Sequence, residues 1–376
     1  MRRINSALTL LFTISVSIPA HAVLQMHVFE TEPTKASQPS PSDDTSDIKE
    51  LAPARKHRLQ VHVFHNETPS TPINKNAVRI AAQRDNPPIF SYQNAAFYFN
   101  TGYRRDDLNW SIAGIGSRPN ILSELKWQDI EIATFNVGST LYLKSNWLVN
   151  IDLVYGNIFA GQNQDSDYNG NNRTLEFSRS NNGANEGSVL DISTSVGYRW
   201  QPLFNQNKSY PNLELRPQLG LSYHSQNLKA VDGLQTIPAI GAFAGLDSNY
   251  DASWFGPWLG LDSRINFSDK FTVALNLEYH YVEYDASANW NLRTDFAHPE
   301  SFTHEAIGYG LVSSLSSQLQ LNNNLSLNLS VDYQDWQAHR NGIDTTYLSN
   351  GTSLTTKFNG VNWRSFGANL GLVYEF

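Results

Sequence analysis

The last thirteen residues, "RSFGANLGLVYEF", constrain the fold more than any other stretch. Phe366, Ala368, Leu370, Leu372, Tyr374 and Phe376 are apolar, one at every second place. Between them stand Ser365, Gly367, Asn369, Gly371, Val373 and Glu375, mostly small or polar. Side chains alternate across a strand, so one face is greasy and the other wet. A soluble antiparallel sheet alternates in the same way, but it rarely stops on an exposed phenylalanine.

The pattern resembles the assembly signal of bacterial outer-membrane barrels, and it recurs upstream. "WLVNIDLVY" (147–155) sets Trp147, Val149, Ile151, Leu153 and Tyr155 against Asn150 and Asp152. "VLDISTSVGYRW" (189–200), "FTVALNLEYHY" (271–281) and "LSLNLSVDY" (325–333) repeat it, with aromatics at the ends of the stripes where interfacial girdles belong. Only a closed sheet satisfies its backbone in lipid. The fold class expected is therefore all-β, a closed antiparallel transmembrane β-barrel.

Short and long connections alternate. Tight polar turns fall at "KSN" (144–146), "SDK" (268–270) and "NNN" (322–324), and long Gly/Asn/Asp-rich stretches near 105–122, 160–188, 227–251, 286–303 and 339–358. In such barrels the short turns face the periplasm and the long loops face outside. The spacing predicts ten strands, near 94–104, 123–143, 147–159, 189–201, 213–226, 252–267, 271–285, 304–320, 325–338 and 361–376. Several exceed the roughly 9–11 residues needed to cross the hydrocarbon, so they should project beyond the outer leaflet.

The chain begins with Arg2 and Arg3, the short apolar run "ALTLLFTISVSI" and a small-x-small "AHA" at 20–22, which read as a cleaved signal peptide over 1–22. Residues 23–93, rich in Pro, Ser, Thr and charge, read as a disordered or extended arm. The arm carries an echo, "LQMHVFETEP" at 24–33 and "LQVHVFHNETP" at 59–69. The barrel takes 94–376. With no cysteine there is no disulfide framework or thiolate metal site, and a net charge of −8 argues against nucleic acid as a partner. The polypeptide is expected in the outer membrane of a Gram-negative cell, with lipid as its partner and no cofactor or metal.

From "SELKW" (123–127) through "WLVNIDLVYGN", "DSDY", "NEGSVLDISTSVGYRW" and "ASWFGPWLGL" to "ANLGLVYEF", the chain resembles the omptin family of outer-membrane proteases. The resemblance covers roughly 94–376 and implies a ten-stranded barrel with a cleft at its extracellular rim. It also implies chemistry: an Asp-x-Asp pair holds a water against an Asp-x-His pair, whose histidine is the general base. On this chain the first pair falls on Asp165 and Asp167, in the loop expected after the third strand. The Asp-x-His position falls, without gaps, on Ala288-Asn289-Trp290. Neither alanine nor indole accepts a proton. Asp285, Asp295 and His298 lie close in sequence, and a shifted loop would bring His298 into the cleft as base.

His224 and His280, with Asp152, Asp191, Glu278 and Asp332, point inward by alternation and read as lumen filling. Tyr223 matches an aromatic of the family's lipopolysaccharide site, but the charges expected beside it are missing. The expectation is therefore an omptin-like barrel with impaired protease machinery and a surface binding or adhesive role, meeting a peptide or protein at the rim. The alternatives are an omptin-type aspartate/water endopeptidase using Asp165, Asp167 and His298, and a narrow pore.

Overall fold

Backbone groups inside hydrocarbon find no water, so each apolar strand must be hydrogen-bonded on both sides. The computed structural model describes residues 92–201 and 210–376. Its strands are β1 (Tyr92–Ile112), β2 (Ser123–Leu143), β3 (Trp147–Gly170), β4 (Thr174–Gly183), β5 (Gly187–Tyr198) and β6 (Asn212–Ile237). They continue as β7 (Gly241–Ala242), β8 (Asp247–Asn266), β9 (Phe271–Asn289), β10 (Phe302–Gln320), β11 (Leu325–Tyr347) and β12 (Ser353–Glu375).

Pairing runs antiparallel through β1, β2, β3, β5, β6, β8, β9, β10, β11 and β12, and β12 returns to β1. The sheet is a closed barrel. β4 takes over from β5 between β3 and β6, and β7 is a two-residue spur on β6. Of the twelve described strands, β4 and β5 thus share one place and β7 occupies none, which leaves ten places in the ring. The signal-peptide reading and all but the last two residues of the arm lie outside the described residues; those two, Tyr92 and Gln93, open β1.

The tight ends close as the turn chemistry dictates. The Ser268 hydroxyl accepts from the backbone N–H of Lys270 at 3.2 Å and of Phe271 at 3.1 Å. Asn322 Oδ1 does the same for Asn324 (3.0 Å) and Leu325 (2.9 Å). Such side-chain caps satisfy donors that a two-strand turn leaves free.

At the other end the strands outrun the sequence reading. β3 continues to Gly170, β6 to Ile237 and β11 to Tyr347, so much of what read as loop at 160–188 and 227–251 is hairpin. The cause is physical. Outside the membrane the outward face meets water, the apolar stripe has no reason to continue, and the period-2 signal fades although the ladder does not.

Two walls result. Outside, Phe99, Phe135, Leu219, Leu259, Leu277, Leu315, Leu329 and Leu370 are exposed large apolar residues, as a lipid face requires. On β12 this stripe runs from Phe366 to Phe376, and above it Arg364 and Asn362 take the outward places. Aromatics edge the band: Phe97 meets Phe376 at 5.5 Å near the turns, and Tyr279 stacks on Tyr309 at 6.2 Å toward the outer end.

Inside, the lumen is stratified. Near the turns a polar chamber of about 400 Å³ is walled by Tyr98, Asn136, Asp152, Arg264, Glu278 and Asp332. His224 and His280 lie at its upper edge, 3.0 Å from Asp191 and 2.9 Å from Glu278. Above them Trp254, Trp336 and Trp363 fill the bore, all 0% exposed. Trp336 and Trp363 stack at 5.3 Å with ring planes 16° apart. Gly310 makes room for them: a Cβ there would stand 2.2 Å from the Trp336 ring.

This layer should seal the barrel. In planar-bilayer recordings, joint Trp336→Ala and Trp363→Ala replacement should raise steady conductance several-fold over the parent. It should also lower the temperature at which the folded band is lost in electrophoresis, because each large core truncation costs ~3–5 kcal/mol. An unchanged conductance would show that the seal lies elsewhere.

Candidate functional site

The outer half of β3 carries the acidic pair, in a strand and not in the loop expected from composition. Register sets what surrounds it. On β2, Trp127, Leu125 and Ser123 stand opposite Asn163, Asp165 and Asp167. On β4, Asn182, Ser180 and Ser178 stand opposite the same three. Trp127 and Leu125 are each 1% exposed and belong to the core, so this is the inward face. One wall therefore gathers two carboxylates, two amides and three hydroxyls directly beside the aromatic filling.

Buried polar atoms are normally hydrogen-bonded. Here the pairing is incomplete. Asn182 Nδ2 donates to Asn163 Oδ1 at 2.8 Å and to Ser180 Oγ at 3.0 Å. Asn163 Nδ2 and Asn182 Oδ1 have no partner, although the two residues are only 2% and 8% exposed.

The connection from β9 to β10 supplies the opposing group. The Trp290 backbone N–H donates to the Ser301 hydroxyl at 2.9 Å, and its ring packs edge-on against Phe302 at 4.9 Å. So held, the indole N–H is directed at Asp165 Oδ2, a long hydrogen bond of 3.4 Å. Arg293, on the same connection, is tied to Asp295 at 2.9 Å and adds positive charge near both Asp165 and Asp167.

Burial pushes the Asp165 carboxyl up to about 7, helped by the charge of Asp167, while Trp290 and Arg293 pull the other way. Asp167 is raised as well, again chiefly by burial, against the Ser123 hydroxyl and Arg293. A partly protonated pair donates as well as accepts.

His298 lies on the exposed surface of its connection. Its Nδ1 is 2.7 Å from Asn289 Oδ1 and its Nε2 is 3.1 Å from the Arg293 carbonyl. Both ring nitrogens are thus engaged within its own segment. Among the described residues, the side chain that contacts Asp165 from across the rim is Trp290.

Sequence reasoning missed a second buried assembly under this wall. His304 is 1% exposed; its Nδ1 is 2.9 Å from the Tyr250 hydroxyl and its Nε2 is 3.2 Å from Asp344. Tyr250 and Tyr284 share a 2.6 Å hydrogen bond, and Thr356 donates to Asp344 at 2.8 Å. Burial lowers the His304 pKa against the opposing pull of Asp344. The available signal was alternation: His304 and Asp344 continue the inward phases of β10 and β11 past the ends of their apolar stripes.

Residues 98–376 match the model of a family described as Protochlamydia outer membrane protein. None of the curated proteins matches the chain. Among solved structures, the outer membrane protease OmpT from Escherichia coli aligns with a TM-score of 0.64 at 14% identity, over 76% of this chain and 98% of that one. The translocator domain of the autotransporter NalP from Neisseria meningitidis aligns at 0.34 and 13% identity, over 76% and 90%. OprG from Pseudomonas aeruginosa aligns at 0.29 and 11%, over 76% and 98%. At 14% identity the likeness to OmpT is one of fold.

The raised Asp165 has a measurable consequence. A carboxyl whose folded pKa lies above its unfolded value, ~3.9, costs the fold nothing while both states are protonated. The cost grows as pH climbs from there to about 7 and is then fully present. Asp165→Asn should therefore leave thermal stability unchanged at pH 3 and raise it at pH 8, read as the midpoint of the heat-induced mobility shift. Equal effects at both pH values would refute the shift.

Proposed function

The chain belongs to the Protochlamydia outer membrane protein family, and from that premise we propose a barrel that holds a ligand at its outer rim without cutting it. Location in the bacterial outer membrane follows from the family and from the barrels it resembles. The binding role rests on one observation: the group directed at Asp165 is the indole N–H of Trp290. An indole donates and never accepts. A water placed between it and the carboxylates would meet no neutral base on that side, and general-base assistance is worth ~10²–10⁴ in rate.

A second reading is an omptin-type endopeptidase, favoured by the placing of Asp165 and Asp167 on one inward face. It requires a base, and His298 would have to leave Asn289 and the Arg293 carbonyl to serve.

Cleavage assays separate the two. Refolded protein incubated with fluorogenic Arg- and Lys-containing peptides should leave them intact over hours, with the folded state verified by heat-modifiable mobility. Cleavage that vanishes in Asp165→Ala, Asp167→Ala and His298→Ala would replace the binding reading with the protease.

A further inference from the structure

The rim wall is equipped for a particular kind of ligand. We infer that the face formed by Asn163, Asp165, Asp167, Asn182 and Trp290 binds a neutral, polyhydroxylated ligand, the sugar ring of a surface glycan. The inference rests on the reading that the rim binds and does not cut, and it names the chemistry of what is bound.

Three observations carry it. First, the two asparagines clamp each other at 2.8 Å, and the remaining amide N–H of Asn163 and carbonyl oxygen of Asn182 have no partner. Both residues are more than nine-tenths buried, so these are not casual surface groups. A hydroxyl suits unsatisfied groups of both kinds, since it accepts from a donor and donates to an acceptor. Leaving such atoms unpaired is costly, so a ligand that pairs them recovers that cost.

Second, the adjoining carboxyls extend the row. Asp165 and Asp167 follow Asn163 at successive inward positions of β3, about 6.6 Å apart at the usual rise of a strand. They offer further acceptors for vicinal hydroxyls. Third, Trp290 is partly exposed and its ring is braced against Phe302 at 4.9 Å. A braced aromatic beside convergent polar groups gives the apolar C–H face of a sugar ring a surface to cover.

Charge decides against the obvious competitor. A basic side chain would suit two ionised aspartates, but Arg293 already lies near both and burial favours the protonated form of each. An incoming ammonium would meet a cation in place and carboxyls reluctant to ionise. A neutral ligand meets neither obstacle.

The test is retention on a glycan array, using full-length protein refolded in detergent and fluorescently labelled. The array carries neutral and sialylated oligosaccharides, with an immobilised Arg-rich peptide alongside. The parent should be retained on neutral glycans. Asn163→Ala and Trp290→Ala should each weaken retention by ~10-fold or more, while Trp290→Phe, which keeps a ring, should lose less. Heat-modifiable mobility verifies that each variant folds. No retention on any neutral glycan, equal retention of Asn163→Ala, or capture of the peptide alone would overturn the inference. Peptide cleavage by the same preparation would instead refute the non-cutting reading, and Asn163-dependent glycan retention would survive it.

Discussion

Backbone hydrogen bonding in a solvent that offers none is the constraint from which the rest of this structure follows. A strand that crosses lipid must be paired along both edges, and a single sheet achieves that only by closing on itself. Closure fixes the register of each strand against two neighbours, and with it which side chains point in. On β12 the lipid-facing stripe occupies Phe366 to Phe376, while the paired strand begins at Ser353. The remainder stands clear of the hydrocarbon, still rigid because it is still paired, yet free of any requirement for an apolar outer face. A wall of polar side chains assembled there borrows the order of the membrane-spanning part without its compositional limits.

A ring of this size also has to be filled, since ~8 strands leave an interior just wide enough for side chains and only 16–18 leave a water channel. The lumen solves this in two ways at two levels. Below the aromatic layer the filling is ionic and amidic: Arg104 is held between Asp106 (2.5 Å) and Asp191 (2.6 Å) just under Trp363, and nearer the turns Arg264 pairs with Asp262 at 2.8 Å. Burying charges costs several kcal/mol each and is tolerable only with such close partners. Toward the outer end the filling is aromatic. Trp127, at the edge of that layer, pairs across the ladder with Asn163, so the polar wall stands on a floor of interlocked rings. Pre-organised polar groups on a stiff apolar support are what a binding site needs.

The membrane-spanning part was legible in the sequence because lipid imposes period 2 without exception. β2 appears at 123–143 in both readings, and β10 differs by two residues at one end. The outer halves of β3, β6 and β11 were not legible. "QNQDSDYNG" carries amides, glycine and charge, the composition of a loop, and nothing in it reports the ladder partners on β2 and β4 that hold it extended. The acidic pair was found as a pair from residue types alone. Its neighbours were not: Asn163 and Asn182 are nineteen residues apart and meet only through the β3–β4 register. Trp290 was noted as a residue that cannot accept a proton. That it would donate to Asp165 depends on the packing of its ring against Phe302, which is tertiary information.

An indole donor opposite two carboxyls differs from a base there in more than one step of a reaction. A base opposite two carboxylates forms a polarised system in which a trapped water is pulled from both sides. With an indole in that place, both sides of the gap donate whenever Asp165 carries its proton, and burial favours that state. A water placed there would be held, but the indole side would withdraw no hydrogen from it. The same donors and acceptors are well matched to hydroxyl groups, which need partners of both kinds and no proton transfer. Two carboxyls are costly in such a wall, because each ionised form must be buried. Their presence beside a bulky aromatic is understandable when the protonated form is itself useful, as a second kind of donor set among acceptors. On that view the raised Asp165 and the donor at Trp290 are parts of one arrangement, the one proposed above to hold a polar ligand.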